Sequence, residues 1–249
     1  KTTAKISGNK ATLSEVAKLS PALFVDSDTY RGFMTSSVFR RRVFDWIGFH
    51  VKPGYLETAR RYTSLLKNRN AALKAHQDTS PWDHLLSESA QALTIMRQAL
   101  CDEFLPFLDV AQCQYLLDAT FEFHPGYDSS VIFEEALNMN IRIDRIKKKT
   151  TQGPHAADWL LKINKRDARH VLSQGQQKTA YFHMVSALDC FLQSLGIEPL
   201  LLIDDFSAEL DGDNSDNFLA LVKNRRGQSV ISSISPPRGI EAVGVSCFT

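Results

Sequence analysis

Apolar positions along this chain recur in two rhythms, and the exchange between them divides it. Near the start, "AKISGNKAT" reads as a hairpin turning at Gly8 and Asn9, and Thr12 with Glu15 forms a capping-box pattern that opens a short helix. Ala22 to Val25 is an apolar strand candidate, followed by a polar turn at Asp26 to Asp28. From Val38 to Phe49 the helical rhythm takes over, with Val38, Phe39, Val43, Phe44, Trp46 and Ile47 on one side and outward-facing positions among Arg40, Arg41 and Arg42. The aromatics Phe39, Phe44, Trp46 and Phe49 are therefore read as core.

Pro53 suits the first turn of a long helix to about His76, marked by the stripe Leu56, Ala59, Tyr62, Leu65, Leu66, Arg69 and Leu73. "QDTSP" interrupts the pattern. A second helix, Trp82 to about Leu105, carries Leu86, Ala90, Leu93, Met96, Ala99, Leu100 and Phe104, and the two are expected to pack as an antiparallel pair. "ATFEFH", Ala119 to His124, alternates as a strand does, and Ser130 is placed to cap a helix through roughly Ile143 before the basic run Lys147 to Lys149.

Beyond that run the rhythm becomes strand, helix, strand. Trp159 to Ile163 reads as a strand with a turn at Asn164 and Lys165, Ser173 opens a helix ending near Gly196, and Leu200 to Ile203 is a further strand. A helix from about Ser215 to Arg225 stops at Gly227, and "SVISSI" forms the next strand. This order predicts an α/β fold built on a mixed sheet flanked by helices.

Charge and composition narrow the function. Across 249 residues, 29 basic and 28 acidic side chains leave a net charge of +1, so polyanion binding would have to come from local patches. Arg40 to Arg42 and Lys147 to Lys149 are the candidates, set against the ordinary reading of charge runs as solvated faces. Cys101, Cys113, Cys190 and Cys247 form no CxxC pair, which argues against a zinc site or a disulfide framework and for a reducing, cytoplasmic setting. No run approaches the roughly 20 apolar residues that cross a bilayer and no signal peptide is visible, so no membrane association is expected. The abrupt opening at Lys1 suggests sequence missing upstream.

Two stretches carry candidate chemistry. "PLLLIDDFSAELD" runs an apolar strand into Asp204 and Asp205, where the carboxyl ends of α/β strands open onto a ligand crevice. Asp204 is placed to hold Mg²⁺ on a nucleotide and Asp205 to orient or deprotonate an attacking water; the plain alternative is a solvated strand end. "VLSQGQQKTAYFHM" opens a helix with Ser173, Gln174, Gly175 and Gln176. Ser173 and Gln176 fit a capping box that needs no ligand. Gly175 is the discriminating residue, because it lets a bulky anion approach the free N–H groups of a helix start.

Taken in order, "LSQGQQK", a helix of about five turns, an apolar strand ending in paired acids, and "ELD" at Asp211 resemble the signature motif, Walker B strand and D-loop of ABC-type ATPase heads. That family includes the SMC-like chromosome proteins, and within it the likeness is to the RecF branch of repair ATPases. It extends to Arg40 to Lys74, to "QGPHAADW" from Gln152, and to "SVISSIS", and so covers nearly the entire chain. The resemblance implies residues 1–52 as part of an ATPase head, 53–145 as a mainly helical arm, and 146–249 as the C-terminal part of the head. It implies ATP and Mg²⁺ as cofactors, with Ser173, Gln174, Gly175 and Gln176 capping the γ-phosphate of ATP held on another copy. Asp204 and Asp205 would be the Walker B pair and Asp211 the D-loop acid at the dimer interface. The family's partners are double-stranded DNA and its junctions with single strands, and RecR and RecO proteins that help load RecA at gaps; its activity is a slow, DNA-dependent ATPase. A transporter ATPase subunit fits poorly, because the arm splits the head.

The sequence also departs from the pattern. It contains no GxxxxGKS/T loop, whose amides and lysine grip the β and γ phosphates in this family. Three expectations follow: a fragment, a loop supplied by a partner, or a protein that no longer hydrolyses ATP and serves as a DNA-binding or protein-interaction module. Nucleotide binding by this chain alone is expected to be weak or absent. Ala156 replaces the usual basic residue after "GPH", Ser207 and Ala208 reverse the common order before "ELD", "MTSS" precedes Arg40 in place of a glycine and proline turn, and Thr249 ends the chain inside an expected last strand. His155 is read as a satisfied structural group, against contact with nucleotide or DNA.

Overall fold

The computed structural model describes residues 4–110, 119–204, 206, 219–220 and 222–233. Its elements, in chain order, are β1 (Ala4–Ile6), β2 (Asn9–Ala11), α1 (Leu13–Leu19), β3 (Ala22–Val25), α2 (Ser27–Thr35), α3 (Ser37–Val51), α4 (Tyr55–Lys74), α5 (Ser80–Val110), β4 (Ala119–His124), α6 (Phe133–Lys147), β5 (Asp158–Ile163), β6 (Arg166–Asp167), α7 (Ala168–Val171), α8 (Gln174–Ser194), β7 (Leu200–Ile203) and β8 (Ser229–Ile231). Packing divides the chain into two compact units, one of residues 1–31 and 173–249, the other of residues 32–172. These limits differ from the 52/53 and 145/146 boundaries expected from sequence.

In the first unit β3, β7 and β8 form a parallel sheet in the order β3-β7-β8, with Val25 level with Ile203 and Ile203 with Ile231. Leu23, Val25, Leu201 and Ile203 are buried on one of its faces. Between Thr179 and Leu192, α8 buries twelve side chains, Tyr181, Phe182, Met184 and Phe191 among them, so it is enclosed on nearly every side beyond its second turn. At its far end Arg225 donates to both carboxylate oxygens of Asp189 (2.8 and 2.7 Å) and to the Pro199 carbonyl (2.6 Å), fixing the C-terminal end of α8 beside the entry to β7.

In the second unit α4 and α5 pack side by side, and α6 joins them around Tyr55, Tyr62, Leu86, Ala90, Leu93, Phe133, Ala136 and Leu137. The antiparallel sheet β4-β5-β6 packs its aromatics against α3, with Phe44 stacked on Trp159 at 4.7 Å and tilted against Phe121 at 5.1 Å. Buried ion pairs link distant segments. Arg40 grips Asp158 with two bonds of 2.8 Å, Arg97 holds Asp45 (2.7 Å), and Arg69 bridges Asp83 (2.6 Å) and Asp144 (2.7 Å).

Several elements differ from expectation. The first hairpin turns at Ser7 and Gly8, both at positive φ, one residue earlier than expected. The polar segment after β3 opens α2, because Asp26 and Thr29 cap each other reciprocally: the Thr29 N–H donates to Asp26 Oδ1 (2.7 Å) and the Asp26 N–H to Thr29 Oγ1 (2.8 Å). Ser130 caps no helix; its hydroxyl donates to Asp128 at 2.6 Å and α6 starts at Phe133. Pro106 does not end α5, which runs on to Val110.

Candidate nucleotide site

Ser173 stands in extended backbone (φ −64°, ψ 165°) at the N-cap of α8. Its hydroxyl accepts the Gln176 N–H at 3.3 Å, and the Gln176 side-chain carbonyl accepts the Ser173 N–H at 2.9 Å, so the expected capping box forms. The first backbone bond of the helix runs from the Gln177 N–H to the Ser173 carbonyl at 2.8 Å. The N–H groups of Gln174 and Gly175 therefore lie ahead of the intrahelical ladder, at the positive end of the helix dipole. Ser173, Gln174 and Gly175 are all exposed. Among the described residues a Cβ built on Gly175 meets nothing within 4 Å, so none of them requires glycine there.

Deeper in the first unit the helix is anchored. The Tyr181 hydroxyl bonds Thr29, and burial pushes its pKa up to about 12. Lys178 Nζ lies 5.4 Å from the centre of the buried Tyr30 ring. These contacts fix the exposed first turn from below.

Asp204 follows β7 directly. Its N–H donates to the Val25 carbonyl at 2.9 Å, its side chain is exposed, and its Oδ1 accepts the Ser232 hydroxyl at 2.5 Å. Ser232 was not singled out from sequence. It is held through its N–H to the Ile203 carbonyl (2.8 Å) and through its carbonyl from the Phe206 N–H (3.0 Å). Strand register is the signal that would have found it, since Ile231 lies level with Ile203 and the next residues, Ser232 and Asp204, face each other at the carboxyl edge of the sheet. Asp205 and Asp211 lie outside the described residues.

The structure also links the two candidate stretches. Phe182 of α8 contacts Phe206, just past the strand end, with ring centres 6.2 Å apart. Ser173 lies nine positions before Phe182, about 13 Å along the helix axis at 1.5 Å per residue.

Of the remaining candidates, Lys147, Lys148 and Lys149 are exposed, and Arg40, Arg41 and His155 have internal roles. Arg40 is buried on Asp158 and the Phe33 carbonyl, Arg41 donates to the Ala157 carbonyl, and of the three arginines only Arg42 is exposed. His155 is satisfied on both ring nitrogens, by the Tyr62 hydroxyl (2.6 Å) and the Thr150 carbonyl (3.0 Å). Burial lowers its pKa. Among the described residues no three His, Cys, Asp or Glu side chains converge on a metal position, and no helix is long and apolar enough to cross a membrane.

No protein-family model matches the chain. Against the DNA replication and repair protein RecF of Coxiella burnetii (strain Dugway 5J108-111) it is 33% identical over 239 residues, covering 93% of this chain and 67% of that protein. The chain belongs to the RecF family. RecF of Thioalkalivibrio sulfidiphilus is 34% identical over 218 residues, covering 84% of this chain and 60% of that one. Two solved structures of the recombination mediator protein RecF in the RecFOR pathway, named with ATP and with ATPrS, superpose with a TM-score of 0.78. At 21% and 19% identity, covering 96% and 93% of this chain, they bear on fold alone. That fold is the mixed α/β head of ABC-type ATPases carrying a helical arm.

Proposed function

We propose that this chain acts as a RecF-type recombination and repair protein whose two copies close on nucleotide and DNA. Ser173, Gln174, Gly175 and Gln176 of one copy present the α8 start to a γ-phosphate at the Asp204 edge of the other. Asp204 holds the metal, Asp205 orients the attacking water, Asp211 lies at the interface, and residues 53–145 form the arm. Mg²⁺–ATP, when bound, would supply the triphosphate, which Ser173 and Gly175 of one copy and Asp204 of the other would hold. The closed pair would bind duplex DNA and its junctions with single strands, and support RecA loading with RecO and RecR partners.

The observation that carries this reading is the open space at Gly175, among the described residues, on an exposed helix start. The resemblance to ABC-type heads supports a ligand held on a second copy. The residues fit the group: unladdered N–H donors at a positive helix end suit phosphate. Asp204 Oδ2 carries no hydrogen bond among the described residues, and Mg²⁺ on nucleotide needs only one or two protein carboxylates.

A second reading is favoured by the exposed basic side chains Arg42, Lys147, Lys148 and Lys149. On it, the chain is a non-catalytic DNA-binding or interaction module of the same fold. Calorimetry separates the two. The chain alone should bind ATP weakly or not at all under either reading. Added to a family member that carries the loop, it should join that protein in an ATP-dependent complex only under the first, and Ser173→Arg should abolish the complex. A complex formed equally well by the variant would remove Ser173 from the site.

A further inference from the structure

Helix α6 buries Phe133, Ala136, Leu137, Asn140 and Asp144 and, about 100° round the helix from them, turns a second face to solvent. That face is unusually apolar. Ile132 is 53% exposed, Met139 76%, Ile143 48% and Ile146 81%. At about 100° per residue, all four lie within about 40° of one line along the helix, spaced as a seam for another helix.

The seam is symmetric about Met139, since Ile132 and Ile146 stand seven residues to either side. Its charges are not repeated but reversed. Exposed Glu135 lies on one flank before Met139, and exposed Arg142 on the same flank after it. An antiparallel pair of such helices, related by a two-fold axis through Met139, sets Ile132 against Ile146, Met139 against Met139, and each Glu135 beside the other helix's Arg142. In a parallel two-fold pair the charged flanks of the two helices lie on opposite sides of the seam and do not meet, so only the antiparallel arrangement joins Glu135 to Arg142.

We infer that the exposed face of α6 is a homotypic docking surface, taking α6 of a second copy in antiparallel register about Met139. The contact is independent of nucleotide and lies on the helical unit, apart from Ser173 and Asp204. Duplex DNA is a poor occupant, since it would strip no water from Met139 or Ile146. An acidic helix from another protein would leave Glu135 facing like charge. One helix pair is a small interface, so the dissociation constant should be on the order of 10 to 100 µM.

Sedimentation equilibrium of the 249-residue chain without nucleotide tests this, with circular dichroism confirming that each variant is folded. The chain should show a monomer–dimer equilibrium. Met139→Glu, which brings two carboxylates together on the axis, should weaken it more than tenfold. Glu135→Arg and Arg142→Glu should each weaken it several-fold, and the double variant should return to the parent value. A chain monomeric at about 500 µM, five times the weaker limit, overturns the proposal. So does indifference to Met139→Glu, indifference to either single charge reversal, or a double variant that is not restored.

Discussion

Arg69 has no solvent exposure, and its guanidinium is shared between Asp83, Asp144 and the Thr150 hydroxyl. Its place on the otherwise apolar stripe of the long helix was legible in the sequence. Its partners were not, because they lie 14, 75 and 81 positions away and only the packing of α4, α5 and α6 collects them. Arg69→Met should cost about 3 to 5 kcal/mol in urea unfolding, because two buried carboxylates lose their counter-charge. His155 follows the same logic in a titratable form. The Thr150 carbonyl can only accept, so Nε2 carries the proton and Nδ1 accepts from Tyr62. Because burial lowers its pKa, the unfolded chain takes up the proton first as the medium acidifies. The stability it protects is therefore complete above about pH 6.5, and is lost as pH falls from there toward the folded pKa. The urea midpoint should drop between pH 7.5 and 5.5, and His155→Gln should drop less over that interval.

At the scale of elements, most helices and strands follow from periodicity, since each buries a regular face: Leu86, Ala90, Leu93, Leu100 and Phe104 on α5 and Phe121 opposite Leu161 in the β4-β5 sheet are examples. The misses fall where capping decides. "DSDT" reads equally as a turn and as a helix start, and only the reciprocal Asp26 and Thr29 bonds distinguish them. The glycines divide in a way sequence does not reveal. Gly126 sits at φ +85°, and a Cβ there would lie 2.4 Å from the Gly153 carbonyl oxygen; a Cβ on Gly153 would lie 2.7 Å from the Phe133 ring. Gly175 has open space. Gly126→Ala should therefore cost roughly 2 kcal/mol or more, whereas Gly175→Ala should leave the urea midpoint unchanged or slightly raised. If Gly175→Ala destabilises as much as Gly126→Ala, its glycine serves the fold and not a ligand.

For the whole molecule, the order of strand, helix and acid-tipped strand was legible, and with it the ABC-type head. What the sequence could not give was that Phe182 of α8 meets Phe206 just past the acid-tipped strand. The family resemblance is the reason for assigning the two stretches to different copies. The most direct measurement is subunit mixing, with the chain fused behind the GxxxxGKS/T segment of a RecF relative so that nucleotide can be held. Ser173→Arg and Asp204→Asn should each abolish ATP hydrolysis alone. Mixed in equal amounts they should regain activity, because one of the two composite sites in a mixed pair is intact; activity no higher in the mixture than in either variant would contradict the account.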